Sequence, residues 1–175
     1  MDAYLLDTNL VSVLYDARRP NHVAVRNAIA ALDPLSPQLV STITMGELRF
    51  GLALSRTAGQ PLAHIEACIA RTEEHPLAEV GRYTAEAYGY VKSSVAYQQI
   101  DIQRRLPRWV EAWSDRVTGE LLQIDENDLW ISAQAVERNL VVVTCDADFT
   151  RIVAPAVPEL PTASPFKNGI AKTLD

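Results

Sequence analysis

The sequence predicts an α/β fold with a mainly parallel sheet and helices on both of its faces. Three observations carry this: an apolar run at 3–6 stops at Asp7, a second run (LVVV) stands at 140–143, and most of the chain between them follows helical period. Strands separated by helices are joined by crossovers rather than hairpins, which makes neighbouring strands parallel and lays helices over the sheet. In such sheets ligands gather at the carboxyl ends of the strands.

After AYLL at 3–6, residues 9–15 read as a helix that closes before Arg18 and Pro20. Asn21 is placed to cap a second helix reaching Leu32, with Val23, Ala24, Ile29 and Ala30 in apolar spacing, until Pro34 and Pro37 break it. Residues 38–42 read as a strand. TMGELRFGLALSR at 44–56 is helical, 62–74 repeats the pattern with Ile65, Ile69 and Ala70, and 77–80 is a short strand. Long helices are expected at 84–101 and 107–122, the second with Pro107 in its first turn; Leu106, Val110, Trp113 and Val117 would form its core-facing stripe. Asp125 or Asn127 opens a helix running to Arg138, and 140–143 is a buried strand. Beyond Ala154, Pro155, Pro158, Pro161 and Pro165 leave one edge strand and a tail.

With 175 residues, the chain is read as one domain over 1–175, a size that hides roughly 70% of the unfolded surface. Hydrophobic residues at 48% and charged ones at 22% exclude a disordered chain. MDAYLLDTN has neither the basic nor the long apolar region of a secretory signal, and no segment is apolar for long enough to span a bilayer, so a cytoplasmic location is expected. Cys68 and Cys145, far apart and outside any CxxC spacing, read as free thiols. A net charge of −6 argues against a broad basic face for nucleic acid, but clustered carboxylates at an active site add negative charge that bound cations reverse locally.

Four acids are candidates for such a cluster. Asp7 directly follows the first strand and Asp146 lies just beyond the last apolar run, so both reach the same rim; either also fits a helix cap or an Asx turn. Glu47 shares a helical face with Ile43, Thr44, Phe50, Gly51 and Leu54, and neither Arg49 nor Arg56 is spaced to reach it. A carboxylate buried there needs a proton, a base or a metal. Asp128 is flanked by Ile124, Ile131, Ser132 and Ala135; a helix-dipole role would suit Asp125, Glu126 and Asp128 alike and does not explain an inward-facing Asp128. Acids about 4 Å apart repel by about 4 kcal/mol at an effective dielectric near 20, which divalent cations offset. An all-oxygen donor set selects Mg²⁺ or Mn²⁺; His22, His64 and His75 are scattered and read as solvent-facing or capping residues. Phosphodiester hydrolysis is the chemistry such a centre performs. GxSxG, GxxxxGK[ST] and GxGxxG are all missing.

LLDTN at 5–9, STITMGELRFG at 41–51, NDLWISAQA at 127–135 and LVVVTCDADF at 140–149 together resemble PIN-domain toxins of the VapC type, in the family's order and spacing. The resemblance implies a three-layer α/β/α PIN-like fold. It also implies a metal site of Asp7, Glu47, Asp128 and Asp146, with Asp148 as an alternative or additional ligand, because TCDADF carries two acids two positions apart. Thr8, Asn9, Asn127 and Thr144 are supporting polar positions, and Arg49, Arg104, Arg105 and Arg108 are candidates for RNA contact. An endoribonuclease using Mg²⁺ or Mn²⁺ is the implied activity, in a homodimer silenced by a small antitoxin. The helical region at about 84–122 departs from the commonest pattern of the family. Two rivals are a catalytically inactive PIN-like module that binds RNA or protein, and a phosphoaspartyl enzyme; Asp7-Thr8-Asn9 lacks the DxD spacing of the second.

Overall fold

The structure, a computed structural model, describes residues 2–102 and 107–166. The first apolar run forms β1 (Tyr4–Leu6), followed by α1 (Thr8–Tyr15) and α2 (His22–Ala30). Next come β2 (Gln38–Ser41), α3 (Thr42–Thr57), α4 (Ala63–Thr72), β3 (Leu77–Ala78) and α5 (Arg82–Gln99). After a single 3-10 turn at Val110–Ala112 the chain forms α6 (Glu126–Arg138) and β4 (Val141–Val143). A π-helical turn (Phe149–Val153), α7 (Ala154–Ala156) and β5 (Thr162–Ala163) complete it.

All five strands are parallel, in the order β3-β2-β1-β4-β5, with Leu6 opposite both Val40 and Val143. Because side chains alternate across a strand, the adjacent apolar residues serve different layers. Leu5 and Val142 face a core that includes Val91, Val95, Leu129 and Phe149, whereas Leu6, Val40 and Val143 face Leu10, Val25, Leu48 and Ile69. Helices thus cover both faces, giving the three-layer α/β/α arrangement that sequence reading expects.

Three local expectations are corrected. Asn21 precedes α2 with φ 64° in the left-handed region, and its side chain makes no cap hydrogen bond. Residues 107–122 form no α-helix: Ser114 pairs with Leu121 in an antiparallel bridge around Gly119, whose φ of +75° suits a residue without Cβ. Val110 and Trp113 are buried, but Val117 is 85% exposed and Leu106 lies outside the described residues, so no core-facing stripe forms. His75 is not solvent-facing; one ring nitrogen meets the Gln38 carbonyl and the other the Tyr15 hydroxyl.

Candidate active site

Parallel strands β1 and β4 lie side by side, so the residues leaving their carboxyl ends are neighbours. Asp7 is nearly fully buried there; its Oδ1 accepts from the Thr8 amide (2.7 Å) and its Oδ2 from the Thr144 hydroxyl (2.8 Å). Thr144 in turn accepts from the Asp146 amide (2.9 Å), which ties the end of β4 to the end of β1. Glu47 comes from the second turn of α3 and accepts from the Thr8 hydroxyl (2.5 Å) and the Asn127 amide (2.9 Å). Asp128 sits in the first turn of α6 in a reciprocal cap: its Oδ2 accepts from the Asp125 amide (2.9 Å), while Asp125 Oδ1 accepts from the Asp128 amide (3.0 Å). The capping role and the inward position therefore coexist at Asp128.

Electrostatics joins what the hydrogen bonds bring near. Burial pushes the Asp7 carboxyl up to about 6, opposed by its two hydrogen bonds and reinforced by the charges of Glu47 and Asp146. Burial likewise raises Asp128 to about 8, with Asp125, Asp7 and Asp146 adding repulsion. Among the described residues, no Lys, Arg or His forms an ion pair with Asp7, Glu47, Asp128 or Asp146. The donor set is carboxyl and hydroxyl oxygen with no basic partner among the described residues, which fits a hard divalent cation that would favour the ionised carboxylates. It is not a finished cage: among the described residues, no three His, Cys, Asp or Glu side chains stand together around one ion position. Each acid is held by protein hydrogen bonds that a metal would have to share or replace.

The remaining candidates separate clearly. Asp148 Oδ1 accepts from Arg151 Nη2 (2.7 Å) and Nε (3.2 Å), and the Asp148 amide donates to Asp146 Oδ1 (2.8 Å); Asp146, not Asp148, bears on the charges of Asp7 and Asp128. Asn9 is exposed and takes no part in the network. Arg49 reaches away to Glu73 (2.6 Å) and Arg108 lies over the Trp109 ring, while Arg104 and Arg105 fall outside the described residues. The face expected to bury Glu47 is largely open, with Phe50 65% and Leu54 54% exposed. Thr44, buried and 2.9 Å from the Thr8 hydroxyl, was missed; its position one turn before Glu47 was the available signal.

The family model described as PIN domain matches residues 4–155. Among solved structures, VapBC-1 from nontypeable Haemophilus influenzae superposes with a TM-score of 0.62 at 21% identity, over 94% of this chain and 99% of that one. VapBC2 from Rickettsia felis, bound to a promoter DNA fragment, gives 0.61 at 18% identity over 93% and 98%. VapC20 from Mycobacterium tuberculosis, a Sarcin-Ricin loop cleaving toxin, gives 0.52 at 14% identity over 85% and 94%. These likenesses show the fold. No curated protein matches the chain.

Proposed function

We propose that this chain, which belongs to the PIN-domain family, is a metal-dependent endoribonuclease and the toxin of a toxin–antitoxin pair. The observation that carries the reading is that Asp7, Glu47, Asp128 and Asp146 lie within electrostatic reach of one another at the carboxyl ends of the strands, without a basic partner among the described residues. These four would hold Mg²⁺ or Mn²⁺, which when bound supplies an activated water and offsets charge on the attacked phosphate.

The chain's own groups prepare that site. Thr144 fixes Asp7 by donating to one oxygen and restrains Asp146 by accepting from its amide. Thr8 and Asn127 donate to separate oxygens of Glu47, which holds the carboxylate in one orientation. Asp125 locks the first turn of α6 and with it Asp128. Asp7→Asn tests the reading: RNA cleavage with Mn²⁺ should fall by about a hundredfold or more while the circular dichroism spectrum is retained. Full activity in a folded variant overturns it.

The absence of a ready-made ligating trio among the described residues favours a second reading, a PIN-like module that binds RNA or protein without cutting. Manganese titration followed by calorimetry separates the two, since the inactive module binds no ion. The antitoxin claim is supported by the VapBC relatives, which are named as toxin–antitoxin pairs or bound to promoter DNA. It predicts a small neighbouring gene whose product co-purifies with this chain and suppresses its toxicity; a harmless isolated gene removes the toxin role and leaves the nuclease. Homodimerisation, a single domain and a cytoplasmic location belong to the same proposal. No helix among the described residues is long and apolar enough to cross a membrane.

A further inference from the structure

Thr44 is out of place among its neighbours. It stands in the first turn of α3 between Ile43 and Met45, and it is completely buried. Valine has nearly the same shape and would fill that space with no polar atom to satisfy, whereas a buried hydroxyl needs a partner. Among the described residues, the side-chain partner of Thr44 is the Thr8 hydroxyl, 2.9 Å away.

Thr8 is in turn the joint between two of the acids. Its amide donates to Asp7 Oδ1 at 2.7 Å and its hydroxyl to Glu47 Oε2 at 2.5 Å. A hydroxyl carries one hydrogen and a carboxylate only accepts, so Glu47 as a carboxylate takes the hydrogen of Thr8. The hydrogen between the two threonines is then that of Thr44, and the chain runs from Thr44 through Thr8 to Glu47. A threonine side chain has staggered positions to choose from, and an oxygen that meets both Thr44 and Glu47 fixes which one Thr8 adopts. Valine at 44 would set a methyl group against the Thr8 oxygen in place of that donor.

We propose that Thr44 is a positioning residue for the acidic centre: its buried hydroxyl holds Thr8 in the rotamer that links Asp7 to Glu47, and so sets how tightly these acids take a divalent cation. The proposal rests on the ribonuclease reading and adds a residue that reaches the acids only through Thr8. Groups that orient a metal's ligands are worth about 10–100-fold in metal affinity. Thr44 acts one hydrogen bond further out, at the low end of that range.

Calorimetric titration of metal-free protein with Mn²⁺ should show Thr44→Val binding about fivefold to tenfold more weakly than wild type, and Thr44→Ser within about twofold of it. Melting should rank these two in the opposite order, because valine keeps the packing while serine loses a methyl group and lowers Tm; a merely structural role moves affinity and Tm together. Thr8→Val removes the joint itself and should weaken binding by about 10–100-fold. Adding Thr44→Val to it should then change affinity by less than about twofold, since nothing remains for Thr44 to hold. Without metal, three-bond couplings from the Thr8 γ-methyl carbon to the backbone should report one rotamer in wild type and Thr44→Ser, and an average of several in Thr44→Val. Thr72→Val is the control: Thr72 is equally buried, but its hydroxyl donates to the Cys68 carbonyl at 2.8 Å within α4, and Mn²⁺ affinity should not change. Wild-type affinity in Thr44→Val overturns the proposal, as does an unchanged Thr8 rotamer, an additive loss in the double variant or an equal loss in Thr72→Val. Wild-type protein that binds no Mn²⁺ overturns the ribonuclease reading and the proposal with it, whereas protein that binds the ion and leaves RNA intact overturns the ribonuclease reading alone.

Discussion

Glu126 and Asp128 are two residues apart in the first turn of the same helix, yet the fold treats them in opposite ways. Glu126 faces α5, where Lys92 meets both of its oxygens at 2.8 and 3.0 Å and the Tyr88 hydroxyl donates to it. Tyr88 stacks on Trp130 with centroids 3.9 Å apart, and Lys92 also lies over the Trp113 ring. Asp128 faces the sheet end, where its neighbours in charge are Asp7, Asp125 and Asp146. This chain pairs an acid with a base where the acid serves packing and leaves one without a basic partner among the described residues at the carboxyl end of the sheet.

The sharpest way to break this comparison is Asp128→Asn. An amide oxygen can still accept from the Asp125 amide, so the cap survives. Cleavage should fall by about a hundredfold or more, and metal-free stability should rise at alkaline pH. An acid whose pKa is raised by folding to about 8 keeps a proton that the unfolded chain gives up near 3.8. The wild type therefore pays for folding progressively as pH climbs from about 4 towards 8, and Asn escapes that penalty. Thermal melts in chelator should show Asp128→Asn several degrees more stable at pH 8 and level with wild type near pH 4. Equal melting at both pH values contradicts the electrostatic account.

Next in size is the response to the ion. Mn²⁺ at a hundred times its Kd should add about 2.7 kcal/mol to wild-type stability, or roughly 5–10 °C in Tm for a chain of this length. Asp128→Asn should lose most of that gain. Lys92→Met makes the paired region resemble the unpaired one: it strands Glu126 and should cost about 1–2 kcal/mol, since the pair is half-exposed. Glu126→Gln added to Lys92→Met should restore part of the loss. A melt showing no rescue would place the cost in packing against Tyr88 and Trp113 instead.

The positions of Asp7 and Asp146 were legible because strand ends are legible. Asp7 and Asp146 follow short apolar runs, and β1 and β4 are paired in register, so the rim follows from chain order. Glu47 was singled out for a partly mistaken reason: helical spacing identifies which residues share a face, but not whether anything covers it, and Phe50 and Leu54 remain exposed. The stretch at 107–122 failed similarly. Val110 and Trp113 have helical spacing and are buried, but Trp113 is fixed by its indole N–H donating to the Pro107 carbonyl and by the bridge turning at Gly119. Pro107 and Gly119 were the contrary signals.

The smallest expected effect distinguishes the paired acids from the unpaired ones within a single loop. Asp148 is already matched to Arg151 at the surface, so Asp148→Asn removes an exposed pair worth about 0–1 kcal/mol. Its backbone bond to Asp146 does not depend on its side chain and remains. Cleavage should change by less than about threefold, a barrier difference of under about 0.7 kcal/mol, whereas Asp146→Asn should cost as much as Asp128→Asn. Measured under identical Mn²⁺, the reverse ranking would make Asp148 the metal-facing acid and would require Arg151 to release it when the ion arrives.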